Sequence, residues 1–276
     1  MKMKWIYFFA TAIVLGGCHT GDSGGGDTTT TASGGVETAP LINYAVVATY
    51  PHDSTSFTEG LLYHNGKLYE STGSPENLPT TRSLVGEVDL QTGKINARVE
   101  LDRKKYFGEG ISFLNNKLYQ LTYLNNQGFV YDEANFKPAG EFKFPGREGW
   151  GMTTDSTHLI MSDGTSKLFY LDPSTFKTVK TLDVTWNGVS VDSVNELEFV
   201  KGYIYANRYT YNYILKIDTA TGNVVGRLDL NSLVLEATSK YPMSLELNGI
   251  AYDPALDRFL VTGKLWPLIY AVSFTH

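Results

Sequence analysis

The chain has 276 residues, of which 42% are apolar, 13% aromatic and only 19% charged. With 23 basic side chains against 29 acidic ones the net charge is −6, which excludes a nucleic-acid binder built on a positive stripe, and the aromatic content excludes wholesale disorder. A chain this long buries an adequate core without disulfides, and 27 Gly, 18 Tyr and 14 Phe against 10 Pro read as short strands and turns rather than helices.

The first element is an address label over residues 1–17. Lys2 and Lys4 form a positive start, and Trp5 to Leu15 is an apolar run too short to span a bilayer. It ends at Leu15, Gly16, Gly17 and Cys18, the only cysteine. This resembles a bacterial lipobox, in which cleavage leaves the cysteine to carry lipid. Cys18 is therefore the expected lipidation site, and the expected location is the cell envelope, with the protein attached to the membrane through that lipid. Residues 18–40, rich in Gly, Ser, Thr and Asp, read as a flexible tether with nothing to pack. The tether contains Gly21-Asp22-Ser23-Gly24-Gly25, a string that surrounds the nucleophile of chymotrypsin-like proteases. No fixed base can be held beside a serine in such a leader, so the match is a decoy.

The remainder, residues 41–276, repeats itself. The phrase Gly60–Tyr69 recurs as Gly110–Tyr119, Gly151–Ile160 and Glu196–Tyr205, and in a longer form from Gly249 to Val261. The starts are separated by 50, 41, 45 and 53 residues. Each copy predicts two short strands about a tight turn, and Asn65-Gly66 is a type I′ turn signal. A second hairpin follows the first four copies, with Asp89, Asp132, Asp172 and Asp218 placed where the chain turns. Four strands in every forty to fifty residues predict an all-β fold, a five-bladed β-propeller. The last blade is one strand short, and the orphan strand Tyr44–Thr49 supplies it by pairing with Leu268–Phe274, which closes the ring.

Aligning the copies compares one position in all five blades. The residue before each inner strand is Glu59, Glu109, Trp150, Asn195 or Asn248, where packing alone would ask for small or apolar side chains. Thirteen residues on from each start stand Gly73, Tyr123, Gly164 and Tyr209, with Lys264 near the equivalent place in the fifth copy. Together these rings predict a polar pocket with aromatic sides at the mouth of the channel. Tyr106 and Phe107 lead into Glu109, and such an approach desolvates its carboxyl and raises its pKa toward the range of proton transfer. The histidines of this part, His52, His64, His158 and His276, are scattered over turns and termini without metal-ligand spacing. Within residues 41–276 neither HExxH, GxSxG nor a P-loop occurs.

The motifs Phe57-Thr58-Glu59-Gly60-Leu61, Phe107-Gly108-Glu109-Gly110, Glu148-Gly149-Trp150-Gly151, Asn195-Glu196-Leu197-Glu198, Leu247-Asn248-Gly249-Ile250-Ala251 and Val261 to Pro267 resemble those of the plant-type glutaminyl cyclases, a family of five-bladed propellers with many bacterial members. The likeness takes in every blade, in order. It implies a glutaminyl-peptide cyclotransferase that converts the N-terminal glutamine of peptides or proteins to pyroglutamate and releases ammonia. It implies Glu109 as the catalytic acid/base, with Trp150, Asn195 and Lys264 orienting the substrate and Phe57, Glu59 and Phe107 completing the pocket. Tyr123 and Tyr209 stand where plant members usually have Trp, and Glu59 where they often have Gln. The resemblance implies no cofactor for catalysis and allows a structural divalent cation, calcium, in the channel, with ligands the sequence does not identify. The oxyanion donor is Lys264 or the Trp150 indole. Two alternatives stay open at this stage. One is a hydrolase such as a lactonase, with Glu59, Glu109, Asn195 and Asn248 holding a catalytic Ca²⁺. The other is a non-catalytic, peptide-binding envelope propeller.

Overall fold

The hairpins form where the turn residues demand them. Asn65 and Gly66 have φ of 49° and 79°, Asn115 and Asn116 of 53° and 59°, and Lys201 and Gly202 of 50° and 85°; two successive positive φ values are what a type I′ turn requires. At the other hairpins the Asp residues act as anticipated. Asp89, Asp132, Asp172 and Asp218 each accept, through Oδ1, the N–H two residues on, at 2.9, 3.1, 3.0 and 3.0 Å.

The computed structural model describes residues 39–276; the segment 1–17, Cys18, the Gly21–Gly25 string and most of the tether lie outside the described residues. The first described strand is β1 (Ala45–Pro51). Blade I is β2 (Phe57–His64), β3 (Lys67–Gly73), β4 (Leu84–Val88) and β5 (Ile95–Glu100). Blade II is β6 (Gly108–Leu114), β7 (Lys117–Thr122), β8 (Gln127–Asp132) and β9 (Pro138–Lys143). Blade III is β10 (Met152–Thr154), β11 (Leu159–Ser162), β12 (Lys167–Leu171) and β13 (Thr178–Asp183). A small hairpin, β14 (Thr185–Trp186) and β15 (Val189–Ser190), leads to blade IV: β16 (Val194–Val200), β17 (Tyr203–Arg208), β18 (Tyr213–Asp218) and β19 (Val224–Asp229). Helix α1 (Asn231–Lys240) then precedes β20 (Leu247–Asp253), β21 (Arg258–Gly263) and β22 (Leu268–Ser273). Blade V takes β1 as its outermost strand, antiparallel to β22, with Ala45 opposite Ser273 and Pro51 opposite Leu268. The expected closure is therefore present.

The inner strands touch in a closed cycle: β2 with β6, β6 with β10, β10 with β16, β16 with β20 and β20 with β2. Two glycines beside the hub show why the circle can be this tight. A Cβ on Gly110 would lie 2.4 Å from Met152 N, and one on Gly151 would lie 2.2 Å from Asn195 O. Blade IV has Glu196 in the matching place, and its carboxylate accepts the Ile250 N–H at 2.8 Å and the Leu61 N–H at 3.4 Å. The core is not one mass but five apolar clusters among the described residues, one in each wedge between adjacent blades. Packing begins by Ala39, buried against the blade III–IV wedge, and Pro40 O accepts the Arg227 N–H at 3.0 Å.

Helix α1 and the β14–β15 hairpin are additions that the strand-and-turn reading did not contain. Leu230 precedes the helix without a side-chain cap, and only Leu233 and Ala237 are buried. The helix is stabilised by that i, i+4 pair docking into the blade IV–V wedge, and Asp229 Oδ1 accepts the Asn231 N–H at its start at 3.0 Å. Both additions lie between the outer strand of one blade and the inner strand of the next, on the face where the inner strands begin.

Candidate active site

The first ring is set by irregularities in the inner strands. Register shifts fall between Thr58 and Gly60, Gly108 and Ile111, Val194 and Leu197, and Leu247 and Ile250. Glu59, Glu109, Asn195 and Asn248 lie inside these bulges, which re-aim a side chain out of the ordinary alternation. Serines of second strands brace two of them from behind. Ser71 Oγ donates to Glu109 O at 2.5 Å and Ser162 Oγ to Asn195 O at 2.7 Å.

The second ring works in two ways. Tyr123, Tyr209 and Lys264 contribute side chains. At Gly73 and Gly164 the missing side chain is the contribution, since a Cβ would fall 2.1 Å from the Phe107 ring and 2.6 Å from the Trp150 ring. The glycines leave the space that these two aromatics fill.

The predicted aromatic residues and Lys264 form one connected wall. Phe57 and Phe107 meet edge to face at 5.9 Å, Phe107 and Tyr123 at 5.9 Å, and Trp150 and Tyr209 edge to face at 5.7 Å. The Lys264 ammonium lies 4.3 Å from the Phe57 centroid and 6.0 Å from that of Tyr209. It donates to Glu59 Oε1 in a short, buried ion pair, while Asn248 Nδ2 donates to Glu59 Oε2 at 3.2 Å. Both oxygens of Glu59 are thus engaged.

Glu109 differs. It is buried, yet its carboxyl forms no hydrogen bond among the described residues. Burial, then the neighbouring Glu59 carboxylate, push it well above the usual carboxylate range against the pull of Lys264. Burial also raises Glu59, to about 7, in spite of its ammonium partner. Asn195 Oδ1 is buried without a partner, so this amide, too, is held with bonding capacity unused.

Two acidic residues of the site were not anticipated. Glu148 Oε2 accepts the Trp150 indole N–H at 2.8 Å, and Glu246 is close enough to raise both Glu59 and Tyr209. Each stands two residues before a first-ring residue, the phase at which Phe57 and Phe107 enter the pocket. Extending the repeat alignment back by two positions would have found them. His52 lies in the loop after β1, as the sequence suggested, and is buried there, held by Glu70 and the Trp266 carbonyl.

A family model described as glutamine cyclotransferase matches residues 22–274. The chain belongs to this family. Over 230 residues it is 40% identical to a glutaminyl-peptide cyclotransferase of Arabidopsis thaliana, covering 83% of this chain and 70% of that protein. The crystal structure of Myxococcus xanthus glutaminyl cyclase superposes with a TM-score of 0.77 at 31% identity, over 86% of this chain and all of the other. The cyclotransferase match thus takes in all five blades, and with them every residue of the pocket.

Proposed function

We propose that the protein cyclises N-terminal glutamine of peptides to pyroglutamate, with Glu109 as acid/base and Lys264 as oxyanion donor. The observation that carries this reading is a buried carboxyl without a hydrogen-bond partner inside an aromatic wall, beside an ammonium. A substrate α-amine has a pKa of roughly 7.7–8.0, so much of it arrives protonated. A carboxylate whose own pKa is driven upward is matched to take that proton. The freed nitrogen attacks the γ-carboxamide carbon, a C–N bond forms, and the tetrahedral oxyanion needs a donor. When the original amide C–N bond breaks, the proton returns from Glu109 to the departing nitrogen, which leaves as ammonia, and the attacking nitrogen, positive after its attack, releases one of its two protons to solvent to give the neutral lactam. Holding the glutamine side chain folded back against the aromatic wall can remove an entropic barrier of roughly 7–11 kcal/mol.

Hydrogen bonding favours one of the two oxyanion donors. The single proton of the Trp150 indole is directed at Glu148. Lys264 gives one N–H to Glu59 and has two more. The same ion pair argues against a catalytic calcium on Glu59, because the ammonium already supplies the positive charge there. Among the described residues no three His, Cys, Asp or Glu side chains converge on a common point, so a structural calcium in the channel rests on the family resemblance alone.

The proposed substrate is a peptide or protein with free N-terminal glutamine, and catalysis is proposed to need no cofactor. Lipid attachment at Cys18 and an envelope location are likewise proposed, from the lipobox-like segment. The test is coupled detection of ammonia from a Gln-containing dipeptide beside its N-acetylated form. Turnover of the first and none of the second is expected; no ammonia from either would overturn the assignment.

A further inference from the structure

Behind the Glu59–Lys264 pair lies a second polar group that the reaction scheme does not use. His52 and Glu70 are both fully shielded from solvent at their side chains, and His52 Nε2 lies 3.0 Å from Glu70 Oε2. His52 Nδ1 is 2.7 Å from Trp266 O. The other Glu70 oxygen accepts the Thr58 hydroxyl at 2.7 Å. Because a carbonyl can only accept, His52 donates from Nδ1, and a carboxylate at Nε2 calls for a second donor. Burial disfavours the imidazolium, but Glu70 and the Trp266 carbonyl outweigh it and hold His52 above its ordinary value.

The position of this group in the fold is specific. Thr58 immediately precedes Glu59, and Trp266 follows Lys264 by two residues. The Lys264 loop turns through Leu265 at a φ of 59°. Its backbone is tied to the segment carrying His52 at two further points, Leu265 N–H to Ser56 O at 2.8 Å and His52 N–H to Pro267 O at 2.9 Å. One buried pair therefore grips both chain segments that present the Glu59–Lys264 ion pair. A buried ion pair is a poor device for stability alone, since its desolvation offsets most of the attraction, but it is a good device for fixing two segments at one spacing.

We propose that His52 and Glu70 are positioning residues that set Lys264 and Glu59 at their working distance from the Glu109 carboxyl, acting on the reaction without touching substrate. This rests on the role given above to Lys264. The test is a double-mutant cycle on kcat with a Gln dipeptide, using His52→Asn, which can still reach the Trp266 carbonyl but not Glu70, and Glu70→Gln, which preserves shape. A displaced catalytic group commonly loses about tenfold or more in rate. That loss is expected in kcat, with KM nearly unchanged, for either variant in the native background. In a Lys264→Gln background the same changes are expected to cost less than about twofold, because coupled residues are not additive. A merely structural pair would lower thermal stability equally in both backgrounds and leave folded-state kcat alone, and that result, or an equal kcat loss in both backgrounds, overturns the proposal. If Lys264→Gln itself keeps full kcat, the assignment of Lys264 falls and the positioning role falls with it. If Lys264→Gln loses activity but neither His52→Asn nor Glu70→Gln does, only the positioning role falls. Should one variant not fold, the other decides.

Discussion

Glu109 and Glu196 are both buried carboxyl groups on inner strands next to the propeller axis, and burial pushes both well above the usual carboxylate range. What separates them is hydrogen bonding. Glu196, in blade IV, is bonded to main-chain N–H groups of blade V and of blade I, whereas the Glu109 carboxyl has no such bond. A saturated buried carboxylate joins blades together. An unsaturated one keeps its lone pairs for something that arrives from outside. Burial and a raised pKa alone would have put both in the active site; the count of partners assigns them to different tasks.

The largest effect expected to follow is for Glu109→Gln, which removes the proton acceptor while breaking no hydrogen bond. Ammonia release from a Gln dipeptide should fall by about 10²–10⁴-fold with the melting temperature essentially kept. An equally severe loss of folding would erase the distinction between the two groups. Glu196→Gln should do the reverse. It replaces one of two acceptor oxygens by a donor facing an N–H, so stability should drop by about 1–3 kcal/mol in denaturant titration with kcat of the folded enzyme retained.

A subtler change is expected for Glu59→Gln. The Glu59 carboxylate is one of the causes that raise Glu109, so removing its charge lowers the Glu109 pKa. Because the base must be ionised to accept the proton, the acid limb of the kcat profile should move to lower pH. A limb that stays fixed or moves upward would show that another group controls it. The smallest expected effect is that of a strong chelator, which should leave initial rates unchanged; immediate and reversible inactivation of still-folded protein would place a metal in the reaction.

Much of this architecture was legible in the residues, and the reason is repetition. Five copies of one hairpin phrase gave the blade count, and the phase of the phrase placed Glu59, Glu109, Trp150, Asn195 and Asn248 on one circle. Chain order also supplied the closing strand, observed over Ala45–Pro51 where Tyr44–Thr49 was expected. What escaped had no periodic signature. Helix α1 has no capping side chain at Leu230, and the β14–β15 hairpin is two residues to a strand. The His52 contacts join positions 18 and 214 residues apart, a convergence made by ring closure and invisible to local spacing. Glu148 lies two residues before Trp150, outside the one phase of the inner strands that the repeat marks out.

The β1–β22 pairing also dictates when the molecule can finish folding. Ala45 lies opposite Ser273, so β1, the first of the described strands, waits for β22, the last of them, before its sheet is complete. Four blades can form in sequence as the chain lengthens, but the fifth cannot, and until it does the toroid stays open with unpaired edges on blade V. Pairings this remote in sequence form slowly, and strand edges left waiting invite association with other chains.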